Sequence, residues 1–205
     1  MIHALPAMGT DRRIFPDPWS TLPGFIAHDW PRHRGERTLS EVARRVAEVY
    51  AIRDGDSIIG TSLGGMIACE VAKIRRLRRV FLVGSATHKT QISRMLTWLH
   101  PVAGIVPFRL LQIGARRLPN LPAQMFGAVE ASFVRVMCAA IFRWDGLGDL
   151  TVPCVRIHGR RDWVIPPPTG VEHLLDGGHL IAISHARECA ALVRGYLVGV
   201  EPAEV

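Results

Sequence analysis

The chain carries the stretch DSIIGTSLGG at residues 56–65, where an apolar run passes directly into a glycine-rich turn. A helix-like segment follows at residues 66–75. In so sharp a turn from strand to helix, the residues two before and two after the apex approach each other closely, and glycine at Gly60 and Gly64 avoids a collision. The pattern predicts a nucleophile elbow with Ser62 at its apex, beside the backbone N–H groups of a helix N-terminus.

Two phosphate-binding alternatives do not fit this turn. A P-loop would require Gly-Lys-Ser or Gly-Lys-Thr after the first glycine, and no such triplet follows. The dinucleotide fingerprint G-x-G-x-x-G also fails, because the glycines stand at positions 60, 64 and 65. Nucleotide binding at this turn is therefore not expected.

A candidate acid and a candidate base lie in the C-terminal third, in the order Ser, Asp, His that accompanies such an elbow. Residues 152–157 form an apolar run, so Asp162 stands just after a predicted strand, where active sites of open α/β sheets collect. Residues 174–180, LLDGGHL, predict a short strand that breaks into a loop presenting His179. The alternative acids lack this strand-end and glycine-turn context; they are Asp145, Asp149 and Asp176.

With these motifs in order, the chain resembles the α/β-hydrolase superfamily, in its serine esterase and lipase-like branch, over most of its length outside a central insert. Residues 5–11, LPAMGTD, resemble the family's oxyanion loop. Residues 29–34, DWPRHR, resemble its Asp-x-Pro-Gly-His-Gly segment, with arginines in place of the glycines. HGRRD at 158–162 and GGH at 177–179 are similar to its acid and base motifs. The resemblance implies a catalytic triad without a metal or organic cofactor, made of Ser62, Asp162 and His179.

The resemblance also implies an oxyanion hole formed by the backbone N–H groups of Met8 and Leu63. The chain departs from the family pattern before this loop, because Pro6 and Ala7 stand where His-Gly is usual. Larger members open with two antiparallel strands, whereas residues 1–5 here already look like the family's third strand. We therefore expect a reduced, mostly parallel sheet of about six strands.

Strand-like and helix-like segments alternate along most of the chain, which predicts an α/β fold with a parallel, doubly wound sheet. Thr38 or Ser40 is the expected cap of the first helix. Strands are expected at 1–5, 25–29, 56–59, 79–83, 152–157 and 173–175, and helices at 39–51, 63–75 and 184–198. The inward face of the first helix should carry Val42, Val46, Val49 and Tyr50, and that of the last helix Cys189, Leu192, Val193 and Tyr196.

The alternation stops between residues 85 and 149, where apolar residues recur at helical spacing and prolines divide the segment. In the family that the chain resembles, an insertion here forms a helical cap over the serine. Most of the apolar side chains should pack on one another, and a minority should line an acyl pocket. The candidates for that lining are Met95, Trp98, Phe126 and Trp144.

Composition favours one compact domain, 1–205, with the 85–149 insertion inside it. The chain has 205 residues, of which 48% are hydrophobic and 21% charged. Its formal charge of +7 comes from scattered arginines without a groove-reading motif, so a nucleic-acid partner is not expected. The dispersed cysteines lack metal or redox spacing, which favours reduced thiols.

The histidines show no paired spacing typical of zinc sites, so no metal is expected. No apolar stretch of about 18 residues and no leader-like segment is present, which favours a cytoplasmic protein without a membrane span. The sequence does not indicate an oligomeric state. These observations leave a small-molecule substrate as the expected partner.

These expectations combine into a carboxylesterase-type serine hydrolase that cleaves esters of short to medium acyl chains through an acyl-enzyme on Ser62. The same triad could serve a thioesterase, an acyltransferase, a C–C bond hydrolase or an esterase for acyl-carrier methyl esters. A noncatalytic ligand receptor on the same scaffold is a further alternative. The basic charge gives slight support to a carrier-bound substrate.

Overall fold

A computed structural model describes residues 1–93, 112, 120–149 and 152–199 of the chain. Its centre is a six-stranded sheet in the order β2-β1-β3-β4-β5-β6, and all five strand pairs are parallel. The strands are β1 (Ile2–Leu5), β2 (Phe25–Ala27), β3 (Ser57–Thr61), β4 (Arg79–Val83), β5 (Cys154–Gly159) and β6 (His173–Leu175). The α/β fold and all six expected strands are confirmed.

Helices flank the sheet at the positions where periodic segments predicted them. The first begins with a capping box, in which Thr38 accepts from the N–H of Glu41 and the Glu41 side chain accepts from the N–H of Thr38. Thr38, rather than Ser40, is therefore the cap. The helices are α1 (Leu39–Val49), α2 (Leu63–Ala72), α3 (Leu121–Ala128), α4 (Ala131–Ala140), α5 (Ile181–Ser184) and α6 (Ala186–Val198).

Strand alternation divides the interior into two hydrophobic cores, one on each face of the sheet. In β3, Ile58 points into one core and Ile59 into the other, as the two-residue period of a strand requires. The first core receives Val42 and Val46 of α1 together with most of α2. The second receives α6 and the segment after β1, including the fully buried Trp19. Helices on both faces bury an all-parallel sheet away from solvent.

One expected core position is wrong. Val49, predicted to face inward, is 50% exposed. Tyr50, which directly follows α1, does pack inward, since its ring stacks on His28 with centroids 3.8 Å apart. The last expected helix also divides in two, since α5 ends at Ser184 and α6 starts at Ala186.

The strand order places a topological switch between β1 and β3. From β1 the chain moves outward to β2, and then crosses back to β3 on the other side. Loops that leave the carboxyl ends of β1 and β3 in opposite directions open a crevice, which is the usual ligand site of an open parallel sheet. The loop after β1 contains Met8, and the turn after β3 contains Ser62.

Part of the predicted insertion falls within the described residues, which show two helices there, α3 and α4. No single described helix is long and apolar enough to cross a membrane; residues 121–128 and 131–143 meet the length and composition criteria only as a pair bent by 97°. The described part of the chain also holds no group of three His, Cys, Asp or Glu residues arranged for a metal ion.

Candidate active site

Ser62 occupies a strained turn between β3 and α2. Its backbone has φ 50° and ψ −118°, outside the regions that non-glycine residues normally adopt. A Cβ at Gly60 would lie 2.4 Å from the backbone of Gly64, and one at Gly64 would lie 2.3 Å from the carbonyl oxygen of Leu5. Glycine at both positions therefore allows the turn to close and brings Ser62 to the N-terminus of α2.

His179 reaches Ser62 from the loop after β6. Its Nε2 lies 3.0 Å from the Oγ of Ser62, a hydrogen-bond distance between residues that are 117 positions apart in the chain. The Nδ1 of the same ring lies 2.8 Å from Oδ2 of Asp162. Since an ionised carboxylate only accepts, Nδ1 carries the proton and Nε2 is left to accept from the serine hydroxyl.

Asp162 is 4% exposed, and both of its carboxylate oxygens accept hydrogen bonds. Its Oδ1 accepts from the backbone N–H groups of Val164 and Ile165, each at 2.9 Å. Burial opposes ionisation, but the hydrogen bonds from His158 and His179 outweigh it and hold the pKa of the Asp162 carboxyl well below its usual range. The carboxylate is therefore ionised at neutral pH.

Two residues at this site were not among the site residues predicted from the sequence. His158 is fully buried, its Nε2 lies 2.7 Å from the carbonyl oxygen of Ile165, and the same nitrogen is 3.3 Å from Oδ2 of Asp162. Ser85 donates from Oγ to the carbonyl oxygen of Ser62 at 2.6 Å. The four-residue spacing from His158 to Asp162 could have indicated that these two side chains meet in one turn. The contact of Ser85 arises from the pairing of β3 with β4, so no local sequence pattern predicts it.

The two expected oxyanion donors lie on either side of the crevice. Leu63 is the first residue of α2, so its N–H lacks an intrahelical partner. Within the described residues, the N–H groups of Met8 and Leu63 donate to no other backbone or side chain. The loop around Met8 is held from outside, because Trp30 donates from Nε1 to the carbonyl oxygen of Ala7 at 3.0 Å.

Helices α3 and α4 both contact the loop that carries Met8. The ring of Phe126 would lie 2.9 Å from a Cβ placed at Gly9, where the backbone has φ +74°. On α4, Cys138 places its Sγ 3.7 Å from the Sδ of Met8. Helices α3 and α4 thus pack against the loop after β1.

The four residues expected to line an acyl pocket have different outcomes. Phe126 is half-buried over the loop after β1, at Gly9. Trp144 is placed elsewhere: its Nε1 donates to Oε1 of Glu70 at 2.8 Å, eight residues beyond Ser62 and so roughly 12 Å along α2. The structure places Trp144 beside the far half of α2, and its role in lining an acyl pocket stays a prediction. Met95 and Trp98 lie outside the described residues.

A groove of about 460 Å³ adjoins the loop after β1. Thr10 and Asp11 form its wall on the side of that loop, and Phe133 of α4 forms part of the other. The rings of Phe133 and Trp30 pack with centroids 5.0 Å apart. A second cavity, of about 720 Å³, lies away from Ser62 between α1 and α4.

A comparison with protein families shows the family to which this fold belongs. The model of a family described as "Alpha/beta hydrolase family" matches residues 1–192, so the chain belongs to this family. A comparison with curated proteins found no match.

Solved structures of similar fold include three enzymes. The enol-lactonase from Burkholderia xenovorans is 18% identical with a TM-score of 0.77, and the match covers 96% of this chain and 90% of that one. A carboxylesterase from Nitrososphaera gargenis is 17% identical with a TM-score of 0.74, and the match covers 97% of this chain and 90% of that one. A thermophilic esterase from Thermogutta terrifontis is 17% identical with a TM-score of 0.71, and the match covers 98% of this chain and 90% of that one. At these identities the likeness shows the fold.

Proposed function

We propose that this member of the alpha/beta hydrolase family is a serine hydrolase that cleaves carboxylic esters of short to medium acyl chains. One observation carries the proposal: the continuous hydrogen-bonded chain from Ser62 Oγ through both nitrogens of His179 to Asp162, with distances of 3.0 and 2.8 Å. A nucleophile, a base and an orienting acid in this arrangement are the requirements for acyl transfer to serine.

In the proposed mechanism, His179 Nε2 takes the proton of Ser62 Oγ as the oxygen attacks the ester carbonyl. The carbonyl π electrons move to the oxygen and give a tetrahedral oxyanion. His179 then returns the proton to the leaving alcohol, and the C–O bond breaks to leave an acyl-enzyme. Water enters, loses a proton to His179 and attacks the acyl carbon. The bond between that carbon and Ser62 Oγ then breaks, and His179 returns the proton to Oγ, which releases the acid and restores Ser62.

Asp162 supports this proton transfer in two ways. It fixes the imidazole in the tautomer whose Nε2 accepts, and its negative charge stabilises the imidazolium that forms during each step. The low pKa of the buried carboxyl means that it stays ionised while His179 changes charge. The two backbone N–H donors at Ile165 and Val164 keep it in place.

The backbone N–H groups of Met8 and Leu63 are proposed to bind the oxyanion. Neither donates to another described residue, so both are available to a negative oxygen that forms between them. The N-terminus of α2 adds a favourable dipole at Leu63. Loss of one such donor in a hydrolase costs on the order of 10²- to 10³-fold in kcat.

Residues 85–149 are proposed to form a cap over this crevice. Contacts of Phe126 with the loop at Gly9 and of Cys138 with Met8 support this. A cap of this size leaves little room for a long lipid, which favours an acyl pocket near the low end of the usual range of about 300–1,000 Å³. Phe126 is the described residue proposed to bound the pocket.

Hydrolysis of p-nitrophenyl acetate and butyrate tests the proposal. The native protein should turn over both esters, Ser62→Ala should be inactive, and Ser132→Ala, a change at an exposed serine on α4, should keep full activity. Equal rates for native protein and Ser62→Ala would reject a serine mechanism. Absence of turnover with every ester, together with saturable ester binding, would instead favour a receptor.

A comparison of thioesters with oxygen esters distinguishes a thioesterase from the proposed carboxylesterase. The same triad attacks a thioester carbonyl, so the relative kcat/KM for an oxygen ester and a thioester of the same acyl group measures the preference directly. We expect the oxygen ester to be the better substrate. A thioester favoured by more than about tenfold would assign the chain to thioester hydrolysis.

A further inference from the structure

A second cavity lies outside the proposed ester site. Its volume is about 720 Å³, which is within the range of small-molecule sites. One wall is the start of α1, with Arg37, Thr38 and Ser40. The facing wall is α4 and the turn that follows it, which contribute Arg135 and Arg143.

Three arginines give this cavity a positive charge. Arg37, Arg135 and Arg143 are all exposed. Arg37 lies beside a carboxylate, because its backbone N–H donates to Glu41 at 2.6 Å and the two side chains interact electrostatically. Arg135 and Arg143 form no ion pair with a described carboxylate, so their charges are available to a ligand.

The carboxylates that line the same cavity are already paired. Glu70 is buried and accepts from Lys73 and from the indole of Trp144. Asp145 accepts from Lys89 at 3.0 Å. The sequence between positions 93 and 120 contains no Asp or Glu, so that stretch has no carboxylate to offer the arginines. The excess positive charge of the cavity therefore stands.

The positions of the arginines suit a ligand with more than one anionic group. Arg135 and Arg143 are eight residues apart on α4 and its following turn, which separates them by roughly 12 Å. Arg37 stands on the opposite wall. Between the charged groups the lining is apolar and consists of Leu39, Val136, Ala139, Ala140 and Trp144.

We propose that this cavity binds a small organic anion with at least two phosphate or carboxylate groups and an apolar part between or beside them. A guanidinium group can donate two parallel N–H hydrogen bonds to either a phosphate or a carboxylate group. The site is separate from the proposed ester site, because Glu70 lies eight residues beyond Ser62 on α2. Binding therefore should not require Ser62, and Ser62→Ala should bind the anion as the native protein does.

Titration calorimetry with inorganic pyrophosphate tests the charged part of the proposal. The native protein should show saturable binding at low ionic strength that weakens as salt rises. The double variant Arg135→Ala/Arg143→Ala should lose affinity by on the order of 10- to 100-fold, as expected for two charge-assisted contacts. Its circular dichroism should match that of the native protein, since both side chains are exposed.

A matched control removes the same charge elsewhere. Arg44 and Arg187 are exposed arginines on α1 and α6 that do not line the cavity. Arg44→Ala/Arg187→Ala should change pyrophosphate affinity by less than about twofold. Equal losses in the two double variants, or no saturable binding to the native protein, would overturn the proposal. Binding of polyglutamate without binding of pyrophosphate would also overturn it, in favour of an acidic protein partner.

The apolar lining predicts a further preference. Phenyl phosphate should bind more tightly than inorganic phosphate, because its ring can cover Trp144 and Val136 while the phosphate meets a guanidinium group. Equal affinities for the two phosphates would contradict the apolar part of the proposed ligand.

Discussion

Ser62 and His179 act on the same proton in the proposed mechanism, so the effects of removing them should not add. Ser62→Ala and His179→Ala should each lower kcat by on the order of 10⁴- to 10⁶-fold, and the double variant should be little slower than either. Steady-state kinetics on one activated ester measures all three. Full additivity would show that the two residues do not share one mechanism.

Asp162 should influence rate far more than it influences ester binding. Asp162→Asn keeps the size of the side chain but removes the charge and favours the wrong imidazole tautomer, so kcat should fall by roughly 10⁴-fold. Circular dichroism should remain native. Near-normal turnover would move the acid to another carboxylate, such as Asp176, which in this structure pairs with Arg161 at 3.4 Å.

The pH dependence should have a single acidic limb from His179. The imidazole must be neutral to accept the serine proton, so kcat/KM should fall as acid protonates it. Asp162 does not contribute to that limb, because its pKa is lowered. Stabilisation from its ionised form is present above the ordinary carboxyl pKa of about 3.9 and is lost only as pH falls through the lower folded value.

A pH–rate profile from acid to neutral pH, on protein that circular dichroism shows to be folded, measures this limb. Activity that rises towards acid pH would contradict a neutral imidazole base. Loss of activity on chelation with recovery on adding zinc would contradict the serine mechanism altogether.

The turn between β3 and α2 depends on close backbone contact more than on backbone freedom. Gly64→Ala would place a Cβ 2.3 Å from the carbonyl oxygen of Leu5, and the strand after which Met8 lies would have to move. We expect the variant to lose activity and several kcal/mol of stability, as overpacked sites do. Urea unfolding and ester hydrolysis measure the two effects.

Gly55 provides the control for this prediction. It has φ +87° but no atom within 4 Å of an added Cβ, so Gly55→Ala should cost only the backbone strain of about 1–2 kcal/mol and leave kcat unchanged. If Gly64→Ala were as mild as Gly55→Ala, the tight packing of the elbow would be wrong.

The local patterns predicted the strands and the residues that now meet at the crevice. Ser62, Asp162 and His179 each stand beside a glycine-rich turn at the end of an apolar run, so position and chemistry were both visible in a few neighbouring residues. Ser85 could not be found in this way, because its contact with Ser62 depends on the register of Thr61 against Val83.

The error at Val49 arises from tertiary packing. Tyr50, the residue that follows α1, packs inward by stacking on His28, which follows β2. Val49 is left 50% exposed. His28 is distant in sequence, so no local pattern around Val49 predicted this contact.

Acyl-chain selectivity should depend on how the whole cap covers the sheet. For a series of p-nitrophenyl esters of increasing chain length, kcat/KM should peak at short or medium acyl groups, and charged acyl groups should react poorly. Phe126→Ala removes the ring that lies over Gly9 and should shift the optimum to longer chains. A native preference for long-chain esters or for peptide amides would contradict the small pocket.

The central claim is that Ser62 is a nucleophile activated by its neighbours. A fluorophosphonate probe tests this most directly, because it forms a covalent bond only with an activated serine. Mass spectrometry of the digested protein should place the added mass on the peptide that contains Ser62, and Ser62→Ala should remain unlabelled. Label on another residue, or equal labelling of Ser62→Ala and native protein, would contradict the account.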